Sequence, residues 1–233
     1  PGLGRVGRHE QAEVQSAEAV RGDPALYRRR IVQEPLPRAR AFVAPVPVVA
    51  HFLDLPLIRG DEAAHAPHLA VSGDPWPGRV AVYGADAAEG YALEQVQAAR
   101  ATMGRTLTPL RRAPSDRWDD GDALEVRMLA GSLESRTRGA VLNGANIAAI
   151  GDGSHGNWEV FQFAEAELVE TDTYWLRGRL RGLAGSDGVM PDVWPEGSWV
   201  VLLDGAVGQT DLPPSLRRVA RHYRIGPARR PLS

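Results

Sequence analysis

Residues 158–188 read WEVFQFAEAELVETDTYWLRGRLRGLAGSDG. They spell two β-strands joined by a short polar turn. In the first, Trp158, Val160 and Gln162 alternate with Glu159, Phe161 and Phe163. Both faces carry large apolar groups, so this strand is expected to be covered on both sides. The turn is Glu170-Thr171-Asp172-Thr173, whose side chains can bond their own backbone. The second strand puts Tyr174, Leu176 and Leu180 on one face and Arg177, Arg179 and Arg181 on the other. A row of three arginines needs solvent, carboxylate partners or an anionic ligand, because burying one unpaired is very costly. Arg177, Arg179, Arg181 and the neighbouring Trp175 are therefore the candidate interaction surface. Gly182, Gly185 and Gly188 open a loop.

Outward from this hairpin the punctuation is that of an all-β protein. His68–Val71 reads as a short strand, Arg79–Tyr83, Tyr91–Val96 and Ala123–Leu129 alternate, and Met103-Gly104 leads into Thr106–Leu110, all separated by Gly, Pro and Asp. After the hairpin, GSWVVLLD (197–204) is a near-continuous apolar strand closed by Asp204-Gly205, with Val207–Leu212 expected to return antiparallel to it. Val219, Arg221, Tyr223 and Ile225 form one more alternating face. Ser135–Ile150 is the best helix candidate, weakened by Gly139 and Gly144, and a loop around Asn143 and Asn146 is the alternative. The fold expected is mainly β: an extended proline-rich entry segment, then a sandwich or barrel-like domain with one short helix.

Three segments follow from this. Residues 1–67 are the end of a preceding domain or an extended connector, residues 68–227 the β-rich domain, and residues 228–233 the start of a linker. Pro35, Pro37, Pro45, Pro47 and Pro56 exclude a helix interior or a central strand, leaving Val48–Leu53 as at most an edge strand. The sequence opens on Pro1 rather than Met, which reads as a piece of a longer polypeptide.

Composition narrows the function classes. The 233 residues carry a net charge of -2, so no bulk charge argues for nucleic acid or an anionic membrane. No apolar run approaches a membrane span. Cysteine is absent, which removes disulfides and thiolate metal sites. Lysine is absent too, so all 27 basic residues are arginine, as the codons of a GC-rich bacterial genome would favour.

Most apparent motifs dissolve on inspection. Gly2-Leu3-Gly4-Arg5-Val6-Gly7 spells a dinucleotide fingerprint but has no strand before it. Arg21-Gly22-Asp23 and Arg59-Gly60-Asp61 spell an adhesion tripeptide that an Arg- and Gly-rich chain produces cheaply. His65 and His68 near Asp61 and Glu62, Asp119-Asp120-Gly121-Asp122, and Asp152 with His155 each lack a converging ligand set, so no metal and no cofactor is expected. Glu159 and Glu165 are the carboxylates a glycan-cleaving enzyme would use. Pairing of Glu165 and Glu167 with the arginine row is the plainer reading. Trp158, Trp175, Trp194 and Trp199 are either a sugar-binding platform or core plugs.

The run from Gly144-Ala145-Asn146, through Trp158-Glu159-Val160-Phe161-Gln162-Phe163, to Tyr174-Trp175-Leu176 and Leu180-Arg181-Gly182-Leu183-Ala184-Gly185 resembles a family of phage tail-tip proteins. The resemblance is strongest to the large tail-tip proteins of gene transfer agents in alphaproteobacteria, phage-derived particles that carry host DNA between cells. It extends more thinly from Leu53 to Pro227. It implies a structural component of a tail tip, made in the bacterial cytoplasm. Its place would be a baseplate hub or fibre base that supports attachment to the bacterial envelope and DNA delivery. Partners implied are the hub and distal tail proteins, in a homotrimeric arrangement, and a cell-surface glycan. Full-length members also carry a glycoside-hydrolase-like barrel. Its eight strand–helix units are not read in these residues, so no catalysis is carried over. The alternatives are a carbohydrate-binding module and a glycan-cleaving domain.

Overall fold

A computed structural model describes residues 47–229. The strands are Val49–Leu53 (β1), His68–Ser72 (β2), Val80–Ala85 (β3), Ala92–Gln97 (β4), Met103–Thr106 (β5), Leu110–Arg111 (β6), Trp118–Asp119 (β7) and Leu124–Ala130 (β8). After a short helix, Arg138–Leu142 (α1), come Ile147–Gly151 (β9), Trp158–Glu170 (β10), Thr173–Leu180 (β11), Val193–Trp194 (β12), Trp199–Leu202 (β13), Gly208–Gln209 (β14) and His222–Pro227 (β15). The Gly2–Gly7 pattern, Arg21-Gly22-Asp23, Pro35, Pro37, Pro45 and residues 230–233 lie outside the described residues.

The hairpin 158–188 forms as its pattern predicts, with β10 and β11 joined through Thr171 and Asp172. Asp172 takes φ 55°, a left-handed conformation that Asp tolerates in tight turns. The pair then organises a closed barrel. Its strands run in the order β10–β9–β13–β5–β8–β11, and β11 pairs back with β10. Every pairing is antiparallel. Closure leaves these six strands without a free edge. The first barrel strand meets the last, Met103 opposite Val201, so the segment between them closes on itself.

The barrel interior holds Leu124, Val126, Met128, Ala148, Ile150, Phe161, Phe163, Tyr174, Leu176 and Val200, plugged by Leu110, Leu133 and Trp194. Two further sheets stack on one flank. Alternation along each strand decides the layers. In β1, Val49 and Leu53 join Trp158, Trp199 and Val201 against the barrel wall. Ala50 and Phe52 face the other way, into a cluster with Leu69, Val71, Val80, Val82, Tyr223 and Ile225. The order is therefore barrel, then β1–β2–β14, then β15–β3–β4. Strand β2, sandwiched between two layers, is buried at all five positions. The edge strand expected at Val48–Leu53 forms as Val49–Leu53, at the edge of its sheet; it pairs along its full length with β2 and belongs to the same unit as the barrel.

Several local expectations are corrected. Only Arg138–Leu142 is helical within 135–150, capped by Thr137, whose hydroxyl accepts the Ala140 N–H at 3.2 Å. Gly144 at φ 92° and Asn146 at φ 54° break the helix, and Ile147–Gly151 becomes a barrel strand. Val207–Leu212 does not return along β13. Its two paired residues, Gly208 and Gln209, add to β2 instead. The last strand starts at His222 rather than Val219 and pairs with β3.

Candidate functional site

The arginine row separates into two environments. Gly178 sits at φ 58°, and beyond it the alternation of β11 no longer follows the simple period. Arg179 and Arg181 are 2% and 0% exposed, whereas Leu180, expected on the apolar face, is only half-buried. Arg177 and Trp175 remain at the surface. Arg179 and Arg181 thus do not form an interaction surface. They take the carboxylate partners that buried arginines require.

Those partners come from the hairpin's other strand and from β7. Arg181 grips Glu159 in a two-pronged bridge, Nε to Oε1 at 2.6 Å and Nη2 to Oε2 at 2.8 Å. Such a planar fork is the strongest form of this contact. Glu159 is 0% exposed and also accepts the Trp194 indole N–H at 2.6 Å and the Gly182 amide at 3.1 Å. Arg179 donates to Asp119 at 2.9 Å and to the Leu176 carbonyl at 2.7 Å. Arg181 Nη1 stands 3.6 Å from the same Asp119 and donates to the Arg111 carbonyl at 2.9 Å. Two cations and two anions balance. Burial pushes the Asp119 carboxyl up, but the hydrogen bond and charge of Arg179 outweigh it, so its pKa lies below the ordinary 3.8.

Chemically this cluster is a lock. Glu159 ties β10 to the end of β11 and to the Trp194 plug, while Asp119 ties in β7. A sealed carboxylate already holding a guanidinium, an indole and an amide cannot meet an external glycosidic oxygen. Glu165 is exposed in the second half of β10, and Arg177 pairs with Glu167 at 2.9 Å, as expected of a sheet surface. The three arginines and Glu159 were legible as charges in a strand. The missed members, Asp119 and Trp194, lie in two-residue strands whose patterns are too short to read.

The tryptophans divide similarly. Trp158 and Trp194 are 1% and 2% exposed and act as plugs. Trp199 is 9% exposed, with Arg105 3.9 Å over its ring and His51 4.4 Å away. Trp175, 37% exposed beside Arg177, is the most exposed of these four. His51 hydrogen-bonds the Gly153 carbonyl at 3.4 Å through Nδ1 and leaves Nε2 buried without a partner. Burial and the nearby Arg105 push its pKa below the usual 6.5, against the Gly153 carbonyl. His68 is likewise lowered by burial.

The other sequence candidates fall into local turns. Asp152 accepts from Ser154 and Asn157, which hold its pKa low. Glu62 accepts the Arg59 and Gly60 amides. Among the described residues no group of three or more His, Asp or Glu side chains is placed to hold a metal ion. No helix there is long and apolar enough to cross a membrane.

The described chain is thus a closed antiparallel barrel with two flanking sheets and an internal salt-bridge lock. A protein-family model described as Rcc01698-like, C-terminal, matches residues 101–201, which are the barrel from its first strand to its last. No curated protein shows a significant match to the chain.

Proposed function

We propose that this chain is a structural segment of a phage-like tail tip, in the baseplate hub or fibre base of a gene transfer agent. One observation carries the reading. The stretch that resembles tail-tip proteins, Gly144 to Gly185, falls wholly within the residues of the Rcc01698-like match, which hold the barrel strands. In this role the barrel is a rigid building block whose neighbours are the hub and distal tail proteins around a threefold axis. It supports attachment to the envelope and DNA delivery without itself cleaving glycan. The sealing of Glu159 by Arg181 supports a structural use of that carboxylate. The burial of three tryptophans favours core plugs over a flat sugar platform.

The reading is tested by peptide mass spectrometry on purified particles whose DNA resists nuclease. Peptides from the barrel should co-purify with tail proteins in fixed proportion. Recovery of the chain only as a free soluble protein would overturn the proposal.

A further inference from the structure

One flank of the barrel wall is covered by a neighbouring sheet. The β1–β2–β14 sheet lies against Trp158, Trp199 and Val201. Strands β5 and β8, next around the barrel, turn Arg105, Arg127 and Leu129 outward into solvent. The register sets Trp199 opposite Arg105, and Arg105 opposite Arg127, in one row across three strands. Like charges directly opposite each other across a ladder destabilise a sheet. The usual remedy is a neighbouring carboxylate, yet among the described residues neither arginine is paired with one. Arg105 donates to the Gly197 carbonyl at 3.1 Å. Arg127 reaches only the Thr173 hydroxyl, at 3.5 Å. The two arginines themselves line a groove of about 330 Å³, together with Leu107, Leu129, Trp199 and the β8 segment at Met128.

We infer that this open face docks an acidic, apolar peptide segment of a partner protein. A carboxylate sits between Arg105 and Arg127, and the adjacent apolar side chain fills the groove. Charge complementarity supplies the first half: an anion relieves the opposed guanidiniums and accepts their spare donors. The groove supplies the second. Apart from the two guanidiniums, which the carboxylate takes up, its walls are aliphatic and aromatic, so the hydroxyls of an acidic sugar would go unpaired there, whereas a Leu or Val side chain has none to satisfy. The inference stands apart from the tail-tip reading, since it rests on these side chains alone.

The test is an NMR titration of the whole chain that follows the arginine Nε–H signals. The probes are a capped peptide alternating Asp with Leu, its counterpart with Asn in place of Asp, and an oligogalacturonate. The acidic peptide should shift Arg105 and Arg127 saturably and more weakly in high salt. It should bind at least about tenfold tighter than the Asn peptide, and tighter than the oligogalacturonate. Arg105→Gln with Arg127→Gln should remove that advantage while the melting temperature holds or rises, because both side chains are exposed and their repulsion is gone. Equal affinity for the Asn peptide, tighter binding of the oligogalacturonate, shifts confined to other arginines, or no saturable shift by about 1 mM peptide would each overturn the inference.

Discussion

The lock between Glu159 and Arg181 is the residue-scale contact with most at stake. Breaking a buried pair leaves one charge stranded, at a cost of about 3–5 kcal/mol. Glu159→Gln should therefore lower unfolding stability by about that amount in urea titration. Arg177→Ala, which removes an exposed partner of Glu167, should cost less than about 1 kcal/mol. Equal losses from the two would refute the contrast. The pH dependence follows from the same scale. Asp119 has a lowered pKa in the folded chain. Its contribution is present above the unfolded value of 3.8 and disappears as pH falls through the folded one. His51 and His68 are also lowered, so folding holds them neutral. Their contribution is full above 6.5 and is lost on acidification below it. Melting temperature should therefore begin to fall below pH 6.5, and His51→Gln combined with His68→Gln should flatten that first decline.

At the scale of elements, the barrel depends on how β11 ends. Gly182 holds φ 58°, offers its amide to Glu159, and has no room for a methyl group, since a Cβ there would meet the Asp187 Cβ at 2.7 Å. Gly182→Ala should cost about 1–3 kcal/mol through this strain, read by thermal unfolding. The Thr137 cap on α1 is exposed and should cost only about 1 kcal/mol on change to Ala. The contrast shows what was legible in the sequence. Strands β3, β4, β8 and β11 announced themselves because alternation lasts several residues, and β10 because large apolar groups fill both of its faces. The strand Ile147–Gly151 did not, because IAAIG reads equally as the end of a helix. Barrel closure was invisible as well. It depends on β5 pairing with β13, 95 or so residues away, and no local pattern encodes a long-range partner. The arginine row was seen, but its fate turned on Gly178, whose φ sequence alone does not give.

At the scale of the whole described unit, three layers share their cores unequally. The barrel is closed and filled, whereas β4 is an outer edge strand with Leu93 55% and Val96 44% exposed. Native-state hydrogen exchange should find the slowest amides in β5, β8, β9, β10, β11 and β13, with β4 opening first. Uniform exchange across the layers would show that the flanking sheets are as essential as the barrel. The central claim is that this layered barrel is built into a tail tip, and an electron cryomicroscopy map of the distal tail end of intact particles tests it most directly. The account predicts density at the tip that accommodates the six-stranded barrel and its two flanking sheets, repeated about the tail axis. A tip map fully explained by other chains, with no density for the barrel, would contradict it.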